Sequence, residues 1–224
     1  MAKEVHSTAG ERSGFHFTQA IRHVCADMVN RLPELRHIDL SRVAVSFSQA
    51  RKSNPYGLYA SLTPMRFEGG KQVAKRRGRY YRAQVLRDEQ GREMLYILSF
   101  CLPRFLNLEF REKLATVVHE LWHIAPAFDG DIRRHDGRCH VHSASQRNYD
   151  AAMMRLAEQW LSLVPPPELY MFLRYRFDEL RAKYGPVYGT RVARPKVFPI
   201  PAAHAVRLLA AESNGSGGEP GAGE

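Results

Sequence analysis

The sequence predicts a single domain of the α+β class. Three observations predict it: an amphipathic helix near the N-terminus, strand-like alternations in the middle of the chain, and further amphipathic helices after residue 107. With 224 residues, 44% of them hydrophobic, the chain is long enough to bury one core. We therefore expect a domain over residues 15–205, a disordered leader over 1–14, and a flexible Gly/Ser-rich tail over 206–224.

The first predicted helix has Thr18 as its N-cap and ends at Pro33. Its apolar residues follow the 3.6-residue period of a helix. They are Ile21, Val24, Cys25, Met28 and Leu32. One face of this helix is therefore expected to lie against the core.

A small antiparallel sheet of three to four strands is predicted next. Apolar and polar residues alternate over 43–48 and 58–63, and a third strand is expected over Arg79–Arg87. The fourth run, Met94–Leu102, is apolar on both faces and is typical of a buried strand. Gln90-Gly91 is suited to a hairpin turn between the last two strands.

The helix that follows carries the sequence His119-Glu120-Leu121-Trp122-His123, an H-E-x-x-H pattern. Positions i and i+4 lie on one face of a helix, so both imidazoles can bind one Zn²⁺. Glu120 can hold and deprotonate a water molecule bound to that ion, as the general base. The apolar stripe Phe110, Leu114, Val117, Val118 and Leu121 predicts a true amphipathic helix, with Asn107 as N-cap and Pro126 beyond its end.

A catalytic zinc site needs a third protein ligand, with water in the fourth position. Half of the ten histidines lie between residues 119 and 142. His135 is the first candidate and His142 the alternative, followed by His140, Cys139 or a carboxylate. Glu158 is the glutamate available on the next helix. Tyr149 is a candidate oxyanion partner, and Asp129, Asp131 and Asp136 are candidate acceptors for the ligand imidazoles.

Two further helices are predicted after this loop. The first is capped by Ser145, carries Tyr149 and Trp160 on its apolar face, and ends at Pro165. The second extends from Leu169 to Tyr184 and is stopped by Gly185. We expect both apolar stripes to belong to the core, and residues 187–200 to be extended.

The segment from Lys71 to Arg92 contains eight basic residues and two acidic ones, and Tyr80 and Tyr81 lie among them. Basic and aromatic side chains together can hold phosphates and stack on bases. The candidate nucleic-acid contacts are Lys71, Lys75, Arg76, Arg77, Arg79 and Arg82. The alternatives are a solubilising loop and a strand edge that receives a peptide by strand addition. The net charge of +10 favours DNA or another polyanion as a partner.

This order of elements, with a histidine-rich loop after the H-E-x-x-H helix, resembles the SprT-like proteins and related phage metallopeptidases, which are small zincins. The resemblance implies a zincin-like fold, one catalytic Zn²⁺, and hydrolysis of a protein or peptide substrate. It also implies a setting near nucleic acid, because some SprT-like proteins act on proteins attached to DNA. In SprT-like proteins the third histidine is typically followed directly by glycine. Here the nearest match is His135-Asp136-Gly137, with one residue inserted.

Two other functions compete with a zinc metallopeptidase. One is a nucleic-acid-binding or interaction module with a zinc-stabilised fold, and the other is a metal-dependent hydrolase with a non-peptide substrate. A structural zinc site needs no glutamate between its ligands, so Glu120 favours an enzyme. The polar N-terminus, the short apolar runs and three scattered cysteines predict a cytoplasmic protein without a membrane partner.

Overall fold

The computed structural model describes residues 14–49, 57–134 and 146–215. These residues form α-helices α1 (Phe17–Arg31), α2 (Phe110–Trp122), α3 (Gln146–Ser162), α4 (Pro167–Tyr170), α5 (Phe177–Tyr184) and α6 (Ala202–Gly215). The strands are β1 (Phe15–His16), β2 (Val43–Gln49), β3 (Ala60–Pro64), β4 (Val73–Arg76), β5 (Arg79–Ala83), β6 (Leu86–Arg87), β7 (Glu93–Met94), β8 (Tyr96–Leu102), β9 (Val187–Tyr188) and β10 (Val197–Ile200). The α+β class is confirmed.

The central sheet has the strand order β2-β8-β3. β8 is the middle strand, and its side chains are buried along most of its length, as its continuous apolar run predicts. The expectation of a purely antiparallel sheet is wrong: β3 pairs antiparallel to β8, whereas β2 pairs parallel to it. Parallel neighbours need a long connection, which the segment carrying β3 to β7 provides.

The predicted third strand is divided into two strands that belong to different sheets. β5 lies between β4 and β10, while β6 pairs with β7. Gln84 separates them, and its backbone N–H donates to the carbonyl of Lys196, which extends the contact with β10. The turn at Gln90-Gly91 between β6 and β7 is confirmed. The short strands β1 and β9 form a separate parallel pair.

One hydrophobic core joins α1, α2, α3 and the central sheet. Phe17, Phe100 and Trp160 are fully buried within it. The indole N–H of Trp160 donates to the carboxylate of Asp27 on α1, at 2.8 Å. This contact ties α3, the helix that follows the motif, to the N-terminal helix.

Two predicted helix starts differ from the structure by two residues. The cap of α1 is His16, whose ring accepts from the N–H of Gln19, and Thr18 lies inside the helix. The cap of α2 is Glu109, which forms a capping box with Glu112. The side chain of Asn107 accepts instead from the backbone N–H of Phe177, a tertiary contact that the local sequence does not encode.

The single helix predicted over Leu169–Tyr184 is broken into α4, a 3₁₀ turn (Met171–Arg174) and α5. The cause lies on another helix. Lys113 of α2 is buried, and its Nζ donates to the carbonyls of Leu173 and Tyr175, at 2.8 Å each. A continuous helix would use those carbonyls internally, so the buried ammonium group stabilises the interruption.

The predicted flexible tail from residue 206 is wrong over its first part, because α6 extends from Ala202 to Gly215. Ala205 is fully buried, and α6 packs against β4 and β5. Contact with this sheet therefore accounts for a helix where the sequence predicts a tail. The leader over 1–13 and the residues after 215 lie outside the described residues. None of the described helices is long and apolar enough to cross a membrane.

Candidate active site

Helix α2 holds the H-E-x-x-H sequence at its C-terminal end. Leu114, Val117, Val118 and Leu121 are all fully buried, so this face of α2 is fixed in the core. His119 and His123 are half-buried at the edge of that face. His123 caps the helix, and its N–H donates to the carbonyl of His119 at 3.3 Å. The motif therefore lies where rigid helix meets loop.

The two motif histidines point at each other. Their Nε2 atoms are 2.9 Å apart, and their ring planes are nearly perpendicular, at 79°. Two imidazole nitrogens that converge in this way match two ligands of a single ion, since each Zn–N bond is about 2.0–2.1 Å long. The two nitrogens are therefore close enough together to bind one metal ion.

Glu120 lies against strand β3. Its side chain is 8% exposed, and the backbone N–H of Leu62 supplies a hydrogen bond to its carboxylate. Burial raises the pKa of this carboxyl to about 7, against the smaller opposing effect of that hydrogen bond. A buried carboxyl that exchanges a proton near neutral pH is suited to general acid–base chemistry.

The register of β3 explains why Leu62 can reach Glu120. The N–H of Cys101 donates to the carbonyl of Tyr59, and the N–H of Met65 donates to the carbonyl of Leu95. The backbone hydrogen bonds between β3 and β8 are therefore made by the odd-numbered residues of β3. The backbone groups of Ala60 and Leu62 therefore point to the opposite edge. That edge carries no further strand in the part of the chain that the structure describes.

Tyr149 of α3 closes one side of the histidine pair. Its ring lies edge-on to His119 at 5.1 Å and is nearly parallel to His123 at 6.3 Å between centroids. Its hydroxyl is buried and has no hydrogen-bond partner among the described residues. Burial, and secondarily the charge of Glu120, raise the pKa of this hydroxyl to about 12. It therefore stays protonated as a donor at neutral pH.

The loop after α2 is held against the end of the motif. Arg133 donates its backbone N–H to the carbonyl of His123 at 2.7 Å and its Nε to the carbonyl of Trp122 at 2.8 Å. Its guanidinium also stacks on the Trp122 ring, 4.1 Å from the centroid. Nothing in the sequence distinguishes Arg133 from its neighbours, because the contact is created by the path of the loop.

The candidate carboxylates nearby are used by the loop itself. Asp131 accepts from the N–H groups of Gly69 and Ile132 and from the guanidinium of Arg134. Asp129 accepts from the N–H of Asp131. Of the predicted acceptors for the ligand imidazoles, these two therefore hold the loop, and Asp136 lies outside the described residues.

The third ligand is not identified. His135, Cys139, His140 and His142 all lie outside the described residues. Glu158, the alternative on α3, is half-exposed and pairs with Arg111 at 2.9 Å. Within residues 14–49, 57–134 and 146–215, no group of three side chains that could hold a metal is assembled. His135 and His142 therefore stay predictions.

The candidate nucleic-acid contacts lie on a different sheet from the one beside α2. Lys75 and Arg76 belong to β4, Arg79 and Arg82 belong to β5, Arg77 is in the turn between them, and Lys71 precedes β4. This sheet is joined to the motif region through the turn at Glu68–Gly70, where Gly69 donates to Asp131.

Comparison with known proteins gives one match. A family model described as "Putative phage metallopeptidase" matches residues 16–160, from the cap of α1 to Trp160 near the end of α3. No curated protein and no solved structure matches the chain significantly. The matched segment contains both motif histidines, Glu120 and Tyr149, and it covers more than half of the chain. The chain therefore belongs to the phage metallopeptidase family.

Proposed function

We propose that the protein is a zinc-dependent metallopeptidase that hydrolyses peptide bonds at the H-E-x-x-H site. The observation that carries this proposal is the pairing of two convergent histidine nitrogens with a buried carboxyl of raised pKa one residue away. No cation lies beside this carboxyl among the described residues, and an unpaired buried carboxyl destabilises a fold, so its presence here favours catalysis over structure.

His119 and His123 hold the zinc through Nε2 in this proposal, and His135 completes the protein ligands. The position of Arg133 supports His135 as the third ligand. The N–H of Arg133 donates to the carbonyl of His123, so the chain has returned to the motif two residues before His135. His142 is the alternative. Zinc supplies a Lewis acid that polarises the scissile carbonyl when it is bound.

Glu120 acts as general base and then as general acid. It accepts a proton from the attacking water and delivers that proton to the departing amine. Burial makes the carboxylate a stronger base than an exposed one, which suits it to accept the proton before it passes the proton on. The N–H of Leu62 orients the carboxylate throughout.

Tyr149 is proposed to donate to the carbonyl oxygen as negative charge develops on it. Its hydroxyl is buried, protonated at neutral pH, and carried by a ring that packs on both motif histidines. Tyr149→Phe keeps the ring and removes only the donor. We expect kcat to fall about 100-fold, the usual effect of losing one such donor, with KM and zinc content unchanged. An unchanged kcat would contradict this role.

An extended peptide is the substrate that the site fits. Among the described residues β3 is an edge strand, and the carbonyl of Leu62 lies on the same side as the N–H that holds Glu120, so a peptide can add to the sheet as a further strand. Such binding uses main-chain hydrogen bonds and places a peptide bond next to the carboxyl. It favours proteins or unfolded segments as substrates over small molecules.

Metal content and peptide hydrolysis, measured together, test the proposal. The variants are Glu120→Gln, His119→Ala, His135→Ala and His142→Ala, with the exposed Glu89→Gln in the β6–β7 turn as control. Glu120→Gln should keep about one zinc per chain and lose activity at least 100-fold, whereas His119→Ala should lose zinc. Of His135→Ala and His142→Ala, the variant that loses zinc identifies the third ligand.

Three outcomes would overturn the assignment. Loss of zinc from Glu120→Gln would make Glu120 a ligand. Retention of zinc by both His135→Ala and His142→Ala would exclude both predicted third ligands. Full zinc occupancy with no hydrolysis of any unfolded protein substrate would favour the interaction module over the enzyme.

A further inference from the structure

The basic hairpin, β4 and β5 with their connecting turn, is built around positive charge. Its two-residue turn is Arg77-Gly78, and both residues have positive φ, 47° and 77°. Asn-Gly is the usual sequence for such a turn, because asparagine tolerates the left-handed region. An arginine there costs roughly 1 kcal/mol of backbone strain, and it places a cation at the tip.

The strands beside the tip add to this charge. Arg76 and Arg79 are directly opposite each other in the antiparallel register, so their side chains share one face. Like charges in that position destabilise a hairpin. Arg76, Arg77 and Arg79 are all exposed, as is Lys75.

No acidic side chain in the part of the chain that the structure describes forms an ion pair with these four cations. Elsewhere the arrangement is different, since Arg66 pairs with Glu93 and Arg92 pairs with Asp88. Lys75 and Arg76 contact the rings of Tyr80 and Phe67, but no described carboxylate neutralises the positive charge of the hairpin.

An aromatic side chain lies on the same face as the arginine pair. Tyr81 is two residues from Arg79 along β5, so the two side chains point the same way, and Tyr81 is half-exposed. The neighbouring β10 residues on that face, Val197 and Pro199, are exposed as well. Cations that flank an accessible aromatic ring match the phosphates and bases of a single nucleic-acid strand.

We propose that the basic hairpin binds single-stranded nucleic acid, with Arg76, Arg77 and Arg79 on the phosphates and Tyr81 stacked on a base. Cation and ring together distinguish this partner from an acidic peptide, which would use the charges and leave the ring without a role. The surface is independent of hydrolysis and would hold the proposed peptidase on a nucleic-acid strand.

The test is binding of the full-length protein to a fluorescein-labelled single-stranded DNA, measured by anisotropy from 50 to 300 mM salt. The hairpin variant carries Arg76→Gln, Arg77→Asn and Arg79→Gln. It should fold, because asparagine suits the turn and the like-charge pair is removed. A matched control carries Arg36→Gln, Arg155→Gln and Arg181→Gln, which removes the same net charge from exposed residues elsewhere.

We expect the hairpin variant to bind at least tenfold more weakly than the wild type, and the control to bind within twofold of it. The slope of log K against log salt should decrease by about 2 in the hairpin variant, since each lost phosphate contact on a single strand contributes about 0.7. Tyr81→Leu should weaken binding about fivefold or more through lost stacking.

Equal weakening by the control would show that net charge alone is responsible and would overturn the proposal. So would a wild-type affinity that does not depend on salt. An unchanged affinity of Tyr81→Leu, or displacement of the DNA by an equal charge concentration of polyglutamate, would replace nucleic acid by a general polyanion and would equally overturn it. Thermal denaturation of each variant shows that the fold is retained.

Discussion

Replacing Glu120 by glutamine should stabilise the metal-free protein at alkaline pH. The carboxyl is 8% exposed, and burial raises its pKa from 4.5 to about 7. The unfolded chain loses this proton near pH 4.5, whereas the folded chain keeps it until about pH 7. The unfolded state therefore binds fewer protons in that window, and the free energy of unfolding falls as the pH rises through it.

The size of the effect follows from the pKa difference. One pKa unit corresponds to about 1.4 kcal/mol, so the ionised Glu120 lowers the free energy of unfolding by about 3 kcal/mol above pH 7. Below pH 4.5 the carboxyl is protonated in both states and this penalty is absent. Glutamine has nearly the same shape and no charge, so it avoids the penalty at every pH.

Urea unfolding of the protein in a chelating buffer at pH 5 and pH 8.5 measures the difference. The free energy of unfolding of Glu120→Gln should lie within about 1 kcal/mol of the wild-type value at pH 5 and should exceed it by about 2–3 kcal/mol at pH 8.5. The exposed Glu89→Gln should track the wild type at both values. The reasoning would be refuted by a difference between Glu120→Gln and the wild type that is the same at the two pH values.

Three further substitutions test how the site is supported, each by urea unfolding and zinc affinity. Lys113→Met leaves two buried carbonyls without their donor and should cost about 2–4 kcal/mol; a loss below 1 kcal/mol would show that water replaces the ammonium group. Tyr96→Phe removes the hydroxyl that accepts from Gly130 and donates to Asp131, which should cost about 2 kcal/mol and weaken zinc binding through the loop after α2. Gly130→Ala should cost at least about 2 kcal/mol, because φ is +92° and the new Cβ would lie 2.4 Å from Cγ of Arg66; a neutral result would mean that the loop moves freely.

Local patterns in the sequence were enough to predict the motif helix and the buried strand. The apolar stripe of α2 fixes which face enters the core, so the half-buried position of His119 and His123 at its edge follows from helical geometry alone. Likewise, the continuous apolar run of β8 predicts a central strand, because only a strand covered on both faces can bury every side chain.

Contacts between segments that are distant in the sequence explain where the predicted helices, caps and strand pairings differ from the structure. Lys113 interrupts the predicted helix after Leu169 from a position about 60 residues earlier, and Asn107 serves as an acceptor for Phe177 instead of a cap. The parallel pairing of β2 with β8 also depends on the path of the whole intervening segment. Neither propensity nor periodicity in a short window contains these partners.

The sequence by itself determined the chemistry of the site: two histidines one helical turn apart with a glutamate between them, on a helix that must be amphipathic. Only the tertiary structure decided how these groups are used. It turns Glu120 into a buried carboxyl against the free edge of β3, and it brings Tyr149 of α3 onto both imidazoles. The physical reason is that the spacing along one helix is fixed by local geometry, whereas burial, and with it pKa, depends on which distant elements pack against that helix.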